Sequence, residues 1–309
     1  MIMEVIVIVI NGINIQGFKQ NKQFILFKIK MVTIHVMGGL GNQLFQVFHL
    51  ISYSIDNKVS FYFEEQVQER NDRPFYWTNF LQSLKPFLKS TPSQLPIYKE
   101  PAFHFTPIPC FQQIGKDFRF FGYFQSYKYF ENNYETIYKL LRIEKQKQQI
   151  LEKYDNDYIF NRCISLHFRI GDYKDIQQHH PIVSIEYYKK ALETIVNNTN
   201  KDDWNILYFY EQQDREQVQN NITGLRASFP KMHFIPIDVT IPDYEQMLCM
   251  SFCCHNIIAN SSFSWWGAYL NNNKNKIVCY PDPDNWFGPA QGNKNMTDMF
   301  PTIWRKIYS

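Results

Sequence analysis

The sequence predicts an α/β protein built on parallel sheets, and three observations carry that prediction. Strand-like runs rich in β-branched residues end in glycine- or serine-rich breaks and lead directly into amphipathic helical patterns. In the second half such strands and helices alternate, the arrangement that gives a parallel sheet with right-handed crossovers. The chain has 309 residues, long enough for two domains of ordinary size, each burying its own core.

The first element is the strand Val32, Ile34, Val36, which ends in Gly38-Gly39-Leu40-Gly41-Asn42. A helix follows with Leu44, Phe48, Ile51 and Ile55 on one face. Glycines let the backbone approach a ligand, and the new helix points unpaired N–H groups into the loop. The spacing is neither a dinucleotide fingerprint nor a P-loop, and a tight strand-to-helix turn would need the same residues. The proline-punctuated aromatic stretch Phe75 to Phe105 resolves into no pattern; beyond it come Phe121 to Phe130, FGYFQSYKYF, and a charged helix from Arg142 to Lys153.

Strands are expected near Cys163 to Phe168, Ile206 to Tyr210, His233 to Ile237, Asn256 to Ala259 and Lys276 to Tyr280, with a helix beginning at Ser184. Alternation along CISLHFRIGDY places His167 and Arg169 on one face near the strand's end. There Arg169 can offer a phosphate its planar fork of donors. Asp172 reads as the partner that orients Arg169, as a general base, or as a turn residue. The strand Ile257-Ile258 runs into Asn260, Ser261, Ser262 and Ser264 and then Trp265-Trp266, which sets hydroxyls and free N–H groups at the carboxyl edge of a sheet. Helix capping by Ser262 or Ser264, with the tryptophans as core anchors, explains the same residues.

A net charge of +3, with Lys and Arg scattered among acids, argues against a nucleic-acid role. The 17% aromatic share suits a carbohydrate site but also fills cores. Six cysteines without C-x-x-C spacing read as reduced thiols of a cytoplasmic protein, and Cys253, Cys254 and His255 are too close in sequence to share one tetrahedral ion. Asp155-Asn156-Asp157 and Asp282-Pro283-Asp284 match D-x-D only formally, as does Asp175 with His179-His180. MIMEVIVIVI at the start is too short and too acidic for a membrane span or signal peptide and reads as a strand; peripheral membrane association is the alternative.

Four segments together resemble the signature blocks of glycosyltransferase family 11, the α-1,2-fucosyltransferases: GGLGNQLFQ (Gly38 to Gln46), FGYFQSYKYF, HFRIGDY (His167 to Tyr173) and NSSFSWWGAYL (Asn260 to Leu270). The likeness runs from about Met31 to Trp286. It implies a GT-B architecture, two Rossmann-like domains facing across a cleft, without metal or cofactor. Residues 1–30 are then an extension, 31–150 an acceptor-side domain, and 151–309 a nucleotide-sugar-binding domain with a C-terminal return helix (Met296 to Ile307) packing back across the first.

By the same resemblance Arg169 binds the donor pyrophosphate, His167 lies beside it, and Asp172 holds the position of a catalytic base. Asn42 reaches the fucose or β-phosphate, and Ser261, Ser262 and Ser264 take phosphate and ribose. Gly38, Gly39, Gly41, Gln43, Gln125, Asn260 and Trp265 complete the substrate-binding set. The implied reaction is inverting, metal-independent transfer of L-fucose from GDP-fucose to a galactoside hydroxyl, making a nucleotide sugar and a glycan the partners. The alternatives are another nucleotide sugar, or a non-catalytic glycan or nucleotide binder of the same fold. The chain departs from the family at Ile170, where a second arginine is usual, at Gln246, where an acid is common, and at Tyr210-Glu211-Gln212, where a serine and two aspartates are frequent.

Overall fold

The computed structural model describes residues 30–65, 74–90 and 94–309; the expectation for residues 1–30 lies outside these, except for Lys30. The described residues form two compact units, one reaching from residue 30 to 38 and from 43 to 141, the other of residues 39–42 and 142–309. The second therefore begins at Arg142, ahead of the expected boundary at 150, and owns a tetrapeptide from the glycine loop.

Among the described residues the first unit holds a five-stranded sheet in the order β3-β2-β1-β5-β4, with β1 Met31–Ile34, β2 Ser60–Glu64, β3 Leu88–Lys89, β4 Ile97–Lys99 and β5 Phe118–Phe121. Every pairing is parallel. Val32, Thr33 and Ile34 are all fully buried, as a central parallel strand requires, and the Thr33 hydroxyl donates a hydrogen bond to the Tyr62 carbonyl at 2.7 Å. The aromatic stretch that showed no period supplies buried Tyr76, Trp77, Phe80, Leu81 and Leu84 from turns, then the short β3 and β4. Helix α1, Leu40–Asn57, buries Leu44, Phe45, Phe48 and Ile51. From it the buried Gln46 accepts from Met37 N (2.9 Å) and donates to Gly122 O (3.1 Å), which ties the loop after β1 to the loop after β5.

One turn further along α1, His49 lies stacked on Phe124 with ring centroids 3.9 Å apart, walled in by Phe120 and Tyr129. Burial holds its pKa down to about 3 from an ordinary 6.5. The unfolded chain takes up this proton below pH 6.5 while the native ring refuses it until about pH 3, so stability falls as pH drops through that window. At pH 5 the loss amounts to about 2 kcal/mol. His49→Phe is expected to narrow the gap between melting temperatures at pH 7 and pH 5; an unchanged gap would refute the assignment.

The second unit holds six strands: β6 Cys163–His167, β7 Asn205–Phe209, β8 His233–Pro236, β9 His255–Ile257, β10 Val278–Pro281 and β11 Arg305–Ile307. All pair in parallel, in the order β11-β10-β9-β6-β7-β8. Counted from β6 this is 3-2-1-4-5-6, the Rossmann order, and both units are Rossmann-like α/β domains. The connecting helices are α2 Ile143–Tyr158, α3 Ile185–Thr199, α4 Arg215–Ser228, α5 Asp243–Met250 and α6 Ser262–Tyr269. Ser184 caps α3 by accepting from Tyr187 N, and Tyr187, Tyr188, Leu192 and Ile195 bury its inner face.

The expected C-terminal return helix is absent from Met296 to Ile307. Instead Phe300 stacks on Tyr280 at 3.8 Å, Trp304 packs by Trp265, and Arg305–Ile307 extends as β11 along β10. Pro301, which lacks a backbone N–H, disfavours a helix running through this stretch.

Candidate functional site

In a 3-2-1-4-5-6 sheet the connections leave the first and fourth strands toward opposite faces, and a crevice opens at their carboxyl ends. Here those strands are β6 and β9, paired from Ile164↔His255 to Leu166↔Ile257. Beyond β6 come Arg169 and a tight helical turn, Gly171–Asp175; beyond β9 come Asn260, Ser261 and α6.

The Arg169 side chain is 12% exposed and divides its guanidinium between two carboxylates, Nη2 pairing with Asp172 and Nη1 with Glu211. Its central carbon lies over the Tyr173 ring, 4.9 Å from the centroid. The Tyr173 hydroxyl donates to Asn260 O at 3.1 Å, so one aromatic side chain joins the β6 end to the β9 end. Asn260 is itself buried, and its amide donates to Pro181 O at 2.8 Å and to Trp286 O at 3.3 Å.

Ser261 is the N-cap of α6 and accepts from Phe263 N at 3.3 Å. Ser262 donates to Asn42 Oδ1 at 2.7 Å. That contact depends on Gly41: a Cβ there would stand 2.3 Å from Ser262 C and 2.6 Å from Phe263 N, closer than atoms can approach. At the other end of α6, Lys147 donates to Leu270 O (2.7 Å) and Lys276 to Ala268 O (2.8 Å). Burial lowers the pKa of each ammonium to about 8, so both remain largely charged at neutral pH against the negative end of the helix.

Two proposed ligand contacts prove to be packing. Ser264 is 1% exposed and donates to Ser261 O, while Trp265 has no exposure, donates to Met299 O at 3.0 Å and stacks on Tyr269 at 4.6 Å. Neither presents surface to a ligand. His167 is buried with its pKa lowered to about 3, first by burial and then by Arg169, so it adds no positive charge at neutral pH. Its Nδ1 has no hydrogen-bond partner among the described residues.

Of the remaining candidates, Gly39, Gly41 and Asn42 group with the second unit, whereas Gly38, Gln43 and Gln125 belong to the first. Gly38 has φ of 80°, and its carbonyl and that of Pro74 each accept from Gln43 Nε2 at 2.9 Å. Gln125 is 8% exposed. Asp282 accepts from Asn285 within its own turn, and Asp155 lies in α2. No three of His, Cys, Asp and Glu converge as a cation site among the described residues, and none of their helices is long and apolar enough to cross a membrane.

Sequence reasoning missed Asp214, which is 2% exposed and accepts from Gly171 N and Lys174 Nζ, both at 2.7 Å. It fixes the turn that follows Arg169 and carries Asp172, and no pattern local to β7 announces this. Asp214→Ala is expected to destabilise the protein by about 2 kcal/mol, because it strands a buried N–H and an ammonium. Thermal unfolding checks this, and a change under about 0.5 kcal/mol would contradict it. The acids near Gln246 are also accounted for: Glu245 accepts from Tyr154 (2.6 Å), Lys153 (2.9 Å) and Tyr244 (3.0 Å), holding α2 to α5, and Gln246 donates to Ile241 O at 2.8 Å.

The sequence profile of Glycosyl transferase family 11 matches residues 4–298, nearly the whole chain. The chain belongs to glycosyltransferase family 11. Among relatives of this family 11 chain, the O-antigen biosynthesis glycosyltransferase WbnK of Escherichia coli is 29% identical over 200 residues, which span 62% of this chain and 61% of the relative. The match thus covers less than two thirds of WbnK. An alpha-1,2-colitosyltransferase of Escherichia coli is 24% identical over 306 residues, 90% of this chain and 99% of its own length. A galactoside 2-alpha-L-fucosyltransferase of Caenorhabditis elegans is 25% identical over 310 residues, 93% of this chain and 81% of its own length.

Proposed function

We propose that this family 11 glycosyltransferase moves L-fucose from GDP-fucose to a galactoside hydroxyl in α-1,2 linkage, with inversion and without a metal ion. The observation that carries the reading is the position of Arg169. It stands at the switch point of the Rossmann-ordered sheet, tied through Tyr173 to the β9 end where α6 begins. A nucleoside diphosphate fits that chemistry: the guanidinium supplies a bidentate fork, and the N-terminal turn of α6 adds N–H donors. The names of the full-length relatives, a colitosyl- and a fucosyltransferase, support 2-hydroxyl transfer of a sugar.

In the displacement, negative charge grows on the leaving diphosphate as the acceptor oxygen attacks the anomeric carbon. Arg169 and the α6 N–H groups assist by meeting that charge where it develops. Asp172, paired with Arg169, is assigned to orienting the guanidinium; accepting the acceptor proton is its second reading, its side chain being half exposed.

A thermal-shift panel of GDP-fucose, GDP-mannose, GDP, UDP-galactose and dTDP-rhamnose tests the donor. Ligand at about 100 times its dissociation constant adds roughly 2.7 kcal/mol. GDP and GDP-fucose are expected to raise the melting temperature together, and fucosyl transfer to a galactoside is expected to persist in a chelator. A shift with UDP-galactose or dTDP-rhamnose alone would replace the donor, and loss of transfer on chelation would remove the metal-free mechanism.

A further inference from the structure

The ion pairs around Arg169 hold one carboxylate more than they hold cations. Arg169 and Lys174 are cationic; Asp172, Glu211 and Asp214, each paired with one of them, are anionic. A diphosphate approaching this cluster meets repulsion unless a carboxylate withdraws. The three acids differ in their freedom to do so. Asp214 is 2% exposed and held by a backbone N–H as well as by Lys174. Asp172 lies in the tight turn that follows Arg169, three residues along the same segment of chain.

Glu211 comes from a different strand end, just beyond β7, and its side chain is 41% exposed. Its second oxygen is held by the side chain of Gln213 at 2.8 Å, an exposed contact. It also lies close to Gly171: a Cβ there would stand 2.6 Å from Glu211 Oε2, so a side chain at that position would make the carboxylate shift. A carboxylate and a phosphate offer a guanidinium the same paired acceptor geometry.

We propose that Glu211 is a displaceable counter-ion, occupying the Arg169 fork until a diphosphate takes its place, so that donor binding and the release of Glu211 are one exchange. This rests on Arg169 being the diphosphate ligand. Glu211 thereby sets donor affinity from the unfavourable side: it keeps the guanidinium ordered while the site is empty and competes with the incoming phosphates.

The experiment is calorimetric titration of the full chain with GDP at fixed ionic strength, comparing the parent with Glu211→Gln, Glu211→Asp, Glu211→Ser and Arg169→Ala. Glu211→Gln is expected to bind GDP about fivefold more tightly, the scale of losing one exposed competing ion pair. Glu211→Ser, different in shape but also uncharged, is expected to shift in the same direction, and Glu211→Asp to stay within about twofold of the parent. In steady state the donor KM and the GDP inhibition constant are expected to fall together, with kcat unchanged or lower. Unchanged or weaker GDP binding by both neutral variants, while the parent binds and Arg169→Ala does not, would overturn the exchange and leave the diphosphate reading standing. A parent that binds no GDP, or an Arg169→Ala that binds as well as the parent, would overturn that reading and the exchange with it.

Discussion

Arg169→Ala is expected to lower kcat/KM for sugar transfer by about a thousandfold, the upper range for losing a donor aimed at developing charge. The effect should be large because the site contains little to compensate. The family's usual second arginine is Ile170 here, 2% exposed and packed in the core, and His167 is neutral at working pH. Lys174, the remaining cation of the cluster, is engaged by Asp214. The fold should survive: removing Arg169 frees two exposed carboxylates, at 51% and 41%, which water can solvate without a large penalty. Arg169→Lys is expected to recover only part of the loss, since an ammonium cannot reproduce the fork. Transfer kinetics and melting temperature measured on the same preparations check both halves, and near-parental turnover would remove Arg169 from the mechanism.

Gly41→Ala is expected to destabilise the protein by about 3 kcal/mol, roughly 6–12 °C in melting temperature, and to weaken donor binding. Gly41 is the second residue of α1, where a glycine-to-alanine change on its own usually favours a helix by up to about 1 kcal/mol. The sign of the change therefore discriminates. The added Cβ would collide with the backbone of Ser262 and Phe263, at 2.3 to 2.6 Å, and backbone cannot rotate away as a side chain can. Either the tetrapeptide 39–42 or the first turn of α6 must move, and the Ser262–Asn42 hydrogen bond breaks. A stabilised variant would show that the two segments are not held in contact.

The parts of this architecture that were legible in the sequence are those where one stretch of chain decides the outcome. The strands at Cys163, Ile206 and His233 and the helix start at Ser184 fall within a residue of expectation, since alternation and a capping serine are local signals. The pairing of Arg169 with Asp172 was legible for the same reason: a strand that breaks at a glycine leaves few places for the side chains beside it. Residues that act only through a distant neighbour were not. Glu211 and Asp214 look like solvated turn acids until the pairing of β6 with β7 brings them beside Arg169 and Gly171. Gln46 reads as an ordinary polar helix residue until β1 and β5 lie side by side and its amide meets Gly122. The serine–tryptophan block misled in part, because a helix start at a sheet edge and a buried helix use the same small and aromatic residues; burial alone separates Ser262 from Ser264 and Trp265. The closing segment misled because its return helix was expected from the family resemblance alone, with no local pattern behind it.

The discontinuous composition of the second unit bears on dissection of the molecule. A fragment cut to begin at Arg142 would keep all six strands of the Rossmann-ordered sheet but would leave behind residues 39–42. The Ser262 hydroxyl would lose the acceptor that aims it, and the backbone of the first turn of α6 would be laid open to water beside Phe263. Severing the polypeptide at its apparent boundary therefore yields a piece with a gap in its wall, and supplying a synthetic peptide that spans the glycine loop is the natural way to close it.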